Sequence, residues 1–354
     1  MIISAIVIAI FANSISILVA PGFGNDDLAL VSKILRVLAI SPILFGISNT
    51  LGAMLIAKRR FLFYGLSPVL YNLGIIGGTF FLSARFGIMG VAIGTVIGAG
   101  LHMLTRLIDA LISGFRFKVT FQFKTPEFKK TIQLMIPKMF GHPVELAMFW
   151  GFTVIASTLG AGSVVILNFA RNFQSVPVSL IGITFSTTAF PIMAKAIADH
   201  SQEEFRKVLK NSFWLILAGS TLAAIVTFII REPLIRIVLG GGAFSEEAIS
   251  RTSTMLGVFT LAMPTESLRH LLARAFYATK NTTIPVVLGI IGLGIAIGGG
   301  YLLAPRFGIL SIPIAFSTAS LIELIFLIIL LPRRLKQLPP SPQLDSELDP
   351  HQPA

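Results

Sequence analysis

Residues 168–191 read NFARNFQSVPVSLIGITFSTTAFP, a run long and apolar enough to cross a bilayer. It nevertheless carries Arg171, with Gln174 one turn later. A cation at membrane depth costs at least about 2.5–3.5 kcal/mol on insertion scales, so it usually faces a polar cavity and serves a function there. The alternative is an arginine near a helix end that snorkels to the headgroups, but Arg171 lies inside the run. Pro177 and Gly182 predict a kink beside the polar pair. The stretch reads as a transporter helix with an anion-binding arginine.

The rest of the chain has the same character. Only 12% of its 354 residues are charged and mean hydropathy is +0.85, against about 25% charged residues in a soluble domain. The class is therefore an all-α, polytopic membrane protein. Without a single Cys, disulfides, thiolate metal sites and a Cys nucleophile are excluded. The net charge of +12 does not point to nucleic acid, because the basic residues cluster in short loops between apolar spans. No Lys or Arg precedes the apolar run at residues 1–20, so it reads as a span rather than a signal peptide.

Apolar runs of about 20 residues predict ten spans, near 1–20, 30–57, 61–83, 87–113, 130–158, 163–193, 208–230, 247–277, 283–303 and 308–331. The Pro-rich tail 332–354, which ends acidic at Asp345, Glu347 and Asp349, reads as a disordered cytoplasmic end. Lys58, Arg59, Arg60, Arg116, Lys118, Lys124, Lys129 and Lys130 lie on one side of the membrane. Lys195, Arg206, Lys207, Lys210, Lys280, Arg333, Arg334 and Lys336 join them, giving sixteen basic residues. The other side has six: Lys33, Arg85, Arg231, Arg236, Arg251 and Arg306. This asymmetry predicts that both termini are cytoplasmic.

An internal repeat organises the spans. Sliding the chain by 221 residues brings ArgPheGlyIle at 85–88 onto the same four residues at 306–309. Gly77 and Gly78 fall on Gly298 and Gly299, Ala57 on Ala278, Phe23 on Phe244 and Asp26 on Glu247. Spans 1–4 thus correspond to spans 7–10, and spans 5 and 6 have no upstream partner. A lobe of four spans (1–113) and a lobe of six (130–331) are expected, joined by a basic cytoplasmic linker at 114–129. Two helices are expected to be missing before Met1, so that the N-terminal lobe is incomplete. Repeats offset by an even number of spans are parallel, and in transporters that arrangement puts the substrate path between the lobes.

Several strings in this order resemble the MurJ/MviN lipid II flippases of the MOP exporter superfamily. They are AlaProGlyPhe at 20–23, AKRRF at 57–61, AsnPheAlaArg and GlnSerValPro within 168–177, and AlaPhePro at 189–191. AlaArgAlaPheTyrAla at 273–278 follows, with Thr283 and Pro285. The resemblance covers about residues 1–331 and implies a two-lobed, MATE-like fold, this chain matching family helices three to twelve of fourteen. It implies that Arg171 is the family arginine of helix eight and Gln174 the polar residue one turn later. The first two family helices, which supply cavity arginines, have no counterpart here. Phe152 and the apolar Gly289–Ala296 run occupy the places of a sodium site found in some members, so no such site is expected.

Other intramembrane charges have local readings. Arg106 with Asp109, and Glu266 with Arg269, are three apart and can pair within their helices. Lys138, His142 and Glu145 share one face of span 5, bracketed by Pro137 and Pro143. They line a cavity facing Arg171, unless Lys138 merely snorkels. Arg274 reads as an orientation anchor, and Glu323 as an unpaired acid that is either a protonatable coupling group or a neutral buried side chain. No metal cluster, phosphate loop or nucleophile motif accompanies them, so neither an enzyme nor a cofactor is expected.

The functional expectation is a flippase for an undecaprenyl-diphosphate-linked peptidoglycan precursor in the bacterial cytoplasmic membrane. Arg171, Gln174, Lys138, Glu145 and Arg269 would bind that substrate. The partners expected are the lipid-linked diphosphate, membrane lipid and a separately encoded two-helix N-terminal piece. The alternatives are export of another lipid-linked saccharide or drug, or a truncated, non-transporting partner of wall-synthesis enzymes.

Overall fold

A computed structural model describes residues 1–115, 125–126, 128–129 and 143–336. Lys138, His142, the first part of the fifth predicted span and the tail from residue 337 lie outside the described residues. The chain forms two compact units, Met1–Gln133 and Leu134–Ala354, and every described element is helical.

The first unit opens with α1 (Ile2–Ile10) and α2 (Ala12–Val19), bent by 77° at Phe11. The single span predicted there is therefore broken. Breaking a helix strands carbonyls, and here Arg36 of α3 (Asn25–Leu38) donates to the Ala9 carbonyl at 3.4 Å and to Asn13 Oδ1 at 3.3 Å. α4 (Ser41–Ala57), α5 (Leu62–Gly77), a π turn (Gly78–Leu82), α6 (Ser83–Phe86) and α7 (Ile88–Ile112) follow.

Glycines decide how α5 meets α7. A Cβ on Gly94 would stand 2.6 Å from Gly78 Cα and 2.8 Å from the Gly74 carbonyl oxygen, so the two backbones touch, as membrane helices with small residues do. Gly94→Ala should cost about 1–3 kcal/mol, the usual cost of overpacking, because the atoms it meets are backbone. Gly77→Ala, with open space around it, should leave stability unchanged. Denaturant unfolding of the two variants in mixed micelles reads the difference.

The expected Arg106–Asp109 pair does not form. Asp109, 1% exposed, accepts from Arg60 Nε and Nη2 at 2.8 and 2.5 Å. Arg106, 5% exposed, turns the other way, donating to Ser67 Oγ at 2.8 Å and to the Ser48 carbonyl and Asn49 Oδ1 at 3.2 Å. Its guanidinium lies over the Tyr64 ring. Gly52 makes the room, since a Cβ there would be 2.6 Å from Arg106 Nη1.

The second unit contains α8 (Pro143–Ser157), α9 (Ser163–Pro177), a π turn (Val178–Ile183) and α10 (Thr184–Ala198). Then come α11 (Gln202–Leu239), α12 (Glu246–Phe259), α13 (Ala262–Ala278), α14 (Thr283–Phe307), a 3-10 turn (Gly308–Leu310) and α15 (Ser311–Lys336). The stretch expected to kink is the π turn Val178–Ile183, which begins directly after Pro177, whose ring has removed one backbone donor. At Gly182 this stretch comes so near α13 that a Cβ would stand 2.7 Å from Ser267 Cα. Phe152, Phe259 and Phe316 interlock edge to face in one core. Phe205, Phe276 and Met193 fill a second core.

The 221-residue repeat is written into these elements. Residues 25–38 and 41–57 are helices, and so are 246–259 and 262–278, end for end. The left-handed residues coincide as well: Arg59 (φ 55°) with Lys280 (φ 57°), and Gly87 (φ 56°) with Gly308 (φ 55°). Polar contacts recur with altered chemistry. Ser48 and His102 are hydrogen-bonded at 2.8 Å, and at the equivalent positions Arg269 and Glu323 approach to 3.6 Å. Lys58 donates to the Ser113 carbonyl at 3.1 Å, and Arg334 donates to the Thr279 carbonyl at 2.9 Å.

Six continuous stretches among the described residues are long and apolar enough to cross a membrane, with the bent α1–α2 pair as a seventh. Ten separate spans are thus not counted. Thr283–Lys336 is one of the six, yet it turns at Gly308 into α14 and α15, which pack along one another. Glu246–Ala278 is absent from the set, and its last helix carries Glu266, Arg269 and Arg274.

Candidate functional site

The polar residues of α13 recur at helical spacing: Glu266, Arg269 with His270, Arg274, and Tyr277. They form one face, and two adjoining cavities open along it. The first, of about 310 Å³, is lined by Glu145, Arg171, Ser175, Glu266, Arg269, His270, Phe316 and Glu323 among others. The second, of about 490 Å³, shares Glu145, Arg269, His270 and Glu323 and adds Arg274, Tyr277 and Phe190.

Arg171 lines the first cavity, but it is not free. Its Nη2 donates to Glu266 Oε1 at 2.7 Å and its Nη1 to Glu266 Oε2 at 3.0 Å. Nη1 also contacts Gln174 Oε1, while Gln174 Nε2 donates to Glu266 Oε2 at 2.8 Å. Phe316 closes the other side, its ring centre 4.7 Å from the guanidinium carbon. The sequence separation of Arg171 and Glu266 is 95 residues. With Glu266 only 5% exposed, this is a nearly buried bidentate pair. The expected Glu266–Arg269 pair is therefore replaced.

Arg269 has the looser arrangement. Its guanidinium stands 3.6 Å from Glu323 and 3.9 Å from Glu145, beyond ordinary hydrogen-bond length to either. Glu323, expected to be unpaired, is thus partnered. Gly292 of α14 gives it space, since a Cβ there would come within 3.2 Å of Glu323 Oε2. The Glu145 side chain is 65% exposed at the start of α8.

Arg274 donates to the His270 carbonyl at 3.2 Å and to Thr187 Oγ1 at 3.0 Å, and it forms no ion pair among the described residues. The anchor read in the sequence is a cavity cation. Three arginines and three glutamates line the two cavities together, so their formal charges cancel. Arg269 and Arg274 retain donors that no carboxylate saturates.

Arg171, Gln174, Glu145 and Arg269 thus meet in one part of the second unit, Gln174 behind the wall as a support for Glu266. Lys138 lies outside the described residues. Glu266, Glu323 and Arg274 were not among the expected ligands. The signal for Glu266 and Arg274 was the polar face of α13, which the sequence reads instead as a local pair and an anchor; Glu323, on α15, reads there as an unpaired acid. Phe152 is 3% exposed and packs on Phe316.

A family model described as lipid II flippase MurJ matches residues 1–345. A probable lipid II flippase MurJ from Borreliella burgdorferi is 25% identical over 336 residues, covering 94% of this chain and 65% of that protein. One from Thermotoga maritima is 24% identical over 306 residues, covering 85% and 59%. The chain thus spans about two thirds or less of the length of these relatives. Among solved structures, a lipid II flippase MurJ in an inward closed conformation has a TM-score of 0.80 at 22% identity, covering 94% of this chain and 71% of that one. An inward-facing MATE multidrug transporter of the MOP superfamily also has a TM-score of 0.80, at 14% identity and with 94% and 78% covered. At these identities the structures speak for the fold alone.

Proposed function

The chain belongs to the lipid II flippase MurJ family, and from that premise we propose that this multi-pass membrane protein moves a polyprenyl-diphosphate-linked cell-wall precursor across the bacterial cytoplasmic membrane. The family match over residues 1–345 carries this reading. The charged clefts beside α13 support it as the part that handles the diphosphate.

Arg269 is the proposed primary ligand. An incoming diphosphate takes over its guanidinium from Glu145, whose exposed side chain swings away, while Glu323 stays. The two charges of the diphosphate meet two cations there, Arg269 and Arg274, so the charge it brings is not buried unpaired. Arg274 adds a second set of donors suited to phosphate oxygens. Arg171, Gln174 and Glu266 form the rigid wall that holds α9 and α13 in register. Lys138 is proposed as a further substrate contact on the strength of the sequence pattern alone. The polyprenyl tail remains in lipid, and translocation follows alternating access. Both termini are proposed to be cytoplasmic from the distribution of basic loops.

Cells depleted of their own flippase test this. Expression of the chain should restore delivery of labelled precursor to the outer membrane face, and Arg274→Gln should reduce that rate by about tenfold or more, the weight of one charged hydrogen-bond donor. Unchanged delivery by Arg274→Gln would remove that residue from the site. No delivery by an inserted, folded chain that still binds the precursor would leave it a binding partner rather than a transporter.

A further inference from the structure

Away from α13's polar face, a groove of about 470 Å³ runs where the first turns of α11 meet α13 and the end of α15. Leu272, Leu331 and Leu335 form its floor, each under 5% exposed. Phe213 and Trp214 wall it, packed edge to face, and Trp214 is 59% exposed. Arg206 and Lys210 complete the lining at one end, one helical turn apart on the same face of α11. Neither forms an ion pair among the described residues, and no acidic side chain lines the groove. Gln202 donates to the Leu335 carbonyl at 3.3 Å, which ties the first turn of α11, acidic at Glu203 and Glu204, to the end of α15, where Arg333 and Lys336 add further cations.

We propose that this groove is a binding site for an anionic membrane lipid, with the headgroup phosphate held by Arg206 and Lys210 and an acyl chain laid along Trp214 and the leucine floor. The order of chemistry along the helix carries the assignment. Two long cations are followed one turn later by an amphipathic tryptophan, and then by an apolar trough. That is the sequence phosphate, interface and hydrocarbon met on entering a bilayer leaflet. A zwitterionic lipid would leave both cations without a net counter-charge. The chain's own residues after Lys336 are a poorer occupant, since they offer only Leu338, Leu344 and Leu348 between prolines and acidic residues.

The chain has two tryptophans, so Trp150→Phe leaves Trp214 as the sole reporter. The full-length variant is reconstituted in phosphatidylcholine vesicles with equal fractions of bromoacyl phosphatidylglycerol or bromoacyl phosphatidylcholine. Trp214 should be quenched more strongly by the anionic lipid. Arg206→Gln with Lys210→Gln should abolish that preference, at about fivefold in relative affinity for each cation lost, without changing quenching by the zwitterionic lipid. That unchanged baseline reports an intact groove. Equal quenching by the two lipids, or a preference that survives the double substitution, overturns the proposal. A preference that emerges only after truncation behind Lys336 assigns the groove to the tail and overturns it too.

Discussion

Arg171→Met should cost about 3 kcal/mol of stability, the lower part of the range for breaking a buried ion pair, because the arginine keeps some access to solvent while Glu266 does not. For a lone cation the sign would be the opposite: burying it is a cost, so removing it would be harmless. The bidentate contact with Glu266 reverses the sign, since the substitution strands a carboxylate that is 5% exposed. Glu266→Gln strands the guanidinium in turn. Both substitutions together should recover most of the loss. Gln174 and the new amide at 266 can then exchange hydrogen bonds, each amide supplying a donor and an acceptor, and no charge is left buried. Arg171→Lys should recover only part, as an ammonium cannot match the two-point fork. Unfolding of the four proteins in mixed micelles gives the coupling energy directly. A double variant as unstable as the sum of the two singles would remove the pair from the fold's supports.

Loss of the second cation should act on the ligand rather than on the fold. Arg269→Gln should weaken binding of a polyprenyl diphosphate by about 10- to 100-fold, the worth of one hydrogen-bonding charge at a phosphate. Glu323 is 7% exposed, and it would be left without its cation. Arg269→Gln is therefore best made together with Glu323→Gln, which keeps the wall neutral. If that double variant keeps wild-type unfolding behaviour but has lost diphosphate affinity, Arg269 is a ligand. Retained affinity would reduce it to a structural partner of Glu323.

Much of the fold was legible because duplication leaves a constant offset. Residues 41–57 and 262–278 share their helix limits, and the left-handed turns at Arg59 and Lys280 fall on the same register. The break at Phe11 was not legible. No glycine or proline marks it, and the carbonyl of Ala9 is satisfied by Arg36, 27 residues away. The ion pairs failed for a related reason. Charges three apart on a helix suggest a local partner, but Arg106 and Asp109 turn to different neighbours, and Arg171 finds its carboxylate across 95 residues. Spacing reports which side chains share a face, not which helix packs against that face. Arg171 does line a cavity. Its saturation by Glu266 and Gln174 depends on packing alone, and so does the open position of Arg269.

The exchange of Glu145 for a diphosphate on Arg269 has a signature that a structural role does not share. Glu145→Gln removes the competing carboxylate without removing any donor from the cleft. Affinity of the full-length protein for a polyprenyl diphosphate in nanodiscs, measured by native mass spectrometry against wild type, should therefore rise by about two- to fivefold, the weight of an exposed charge pair. Unchanged or weaker binding by Glu145→Gln would contradict the site.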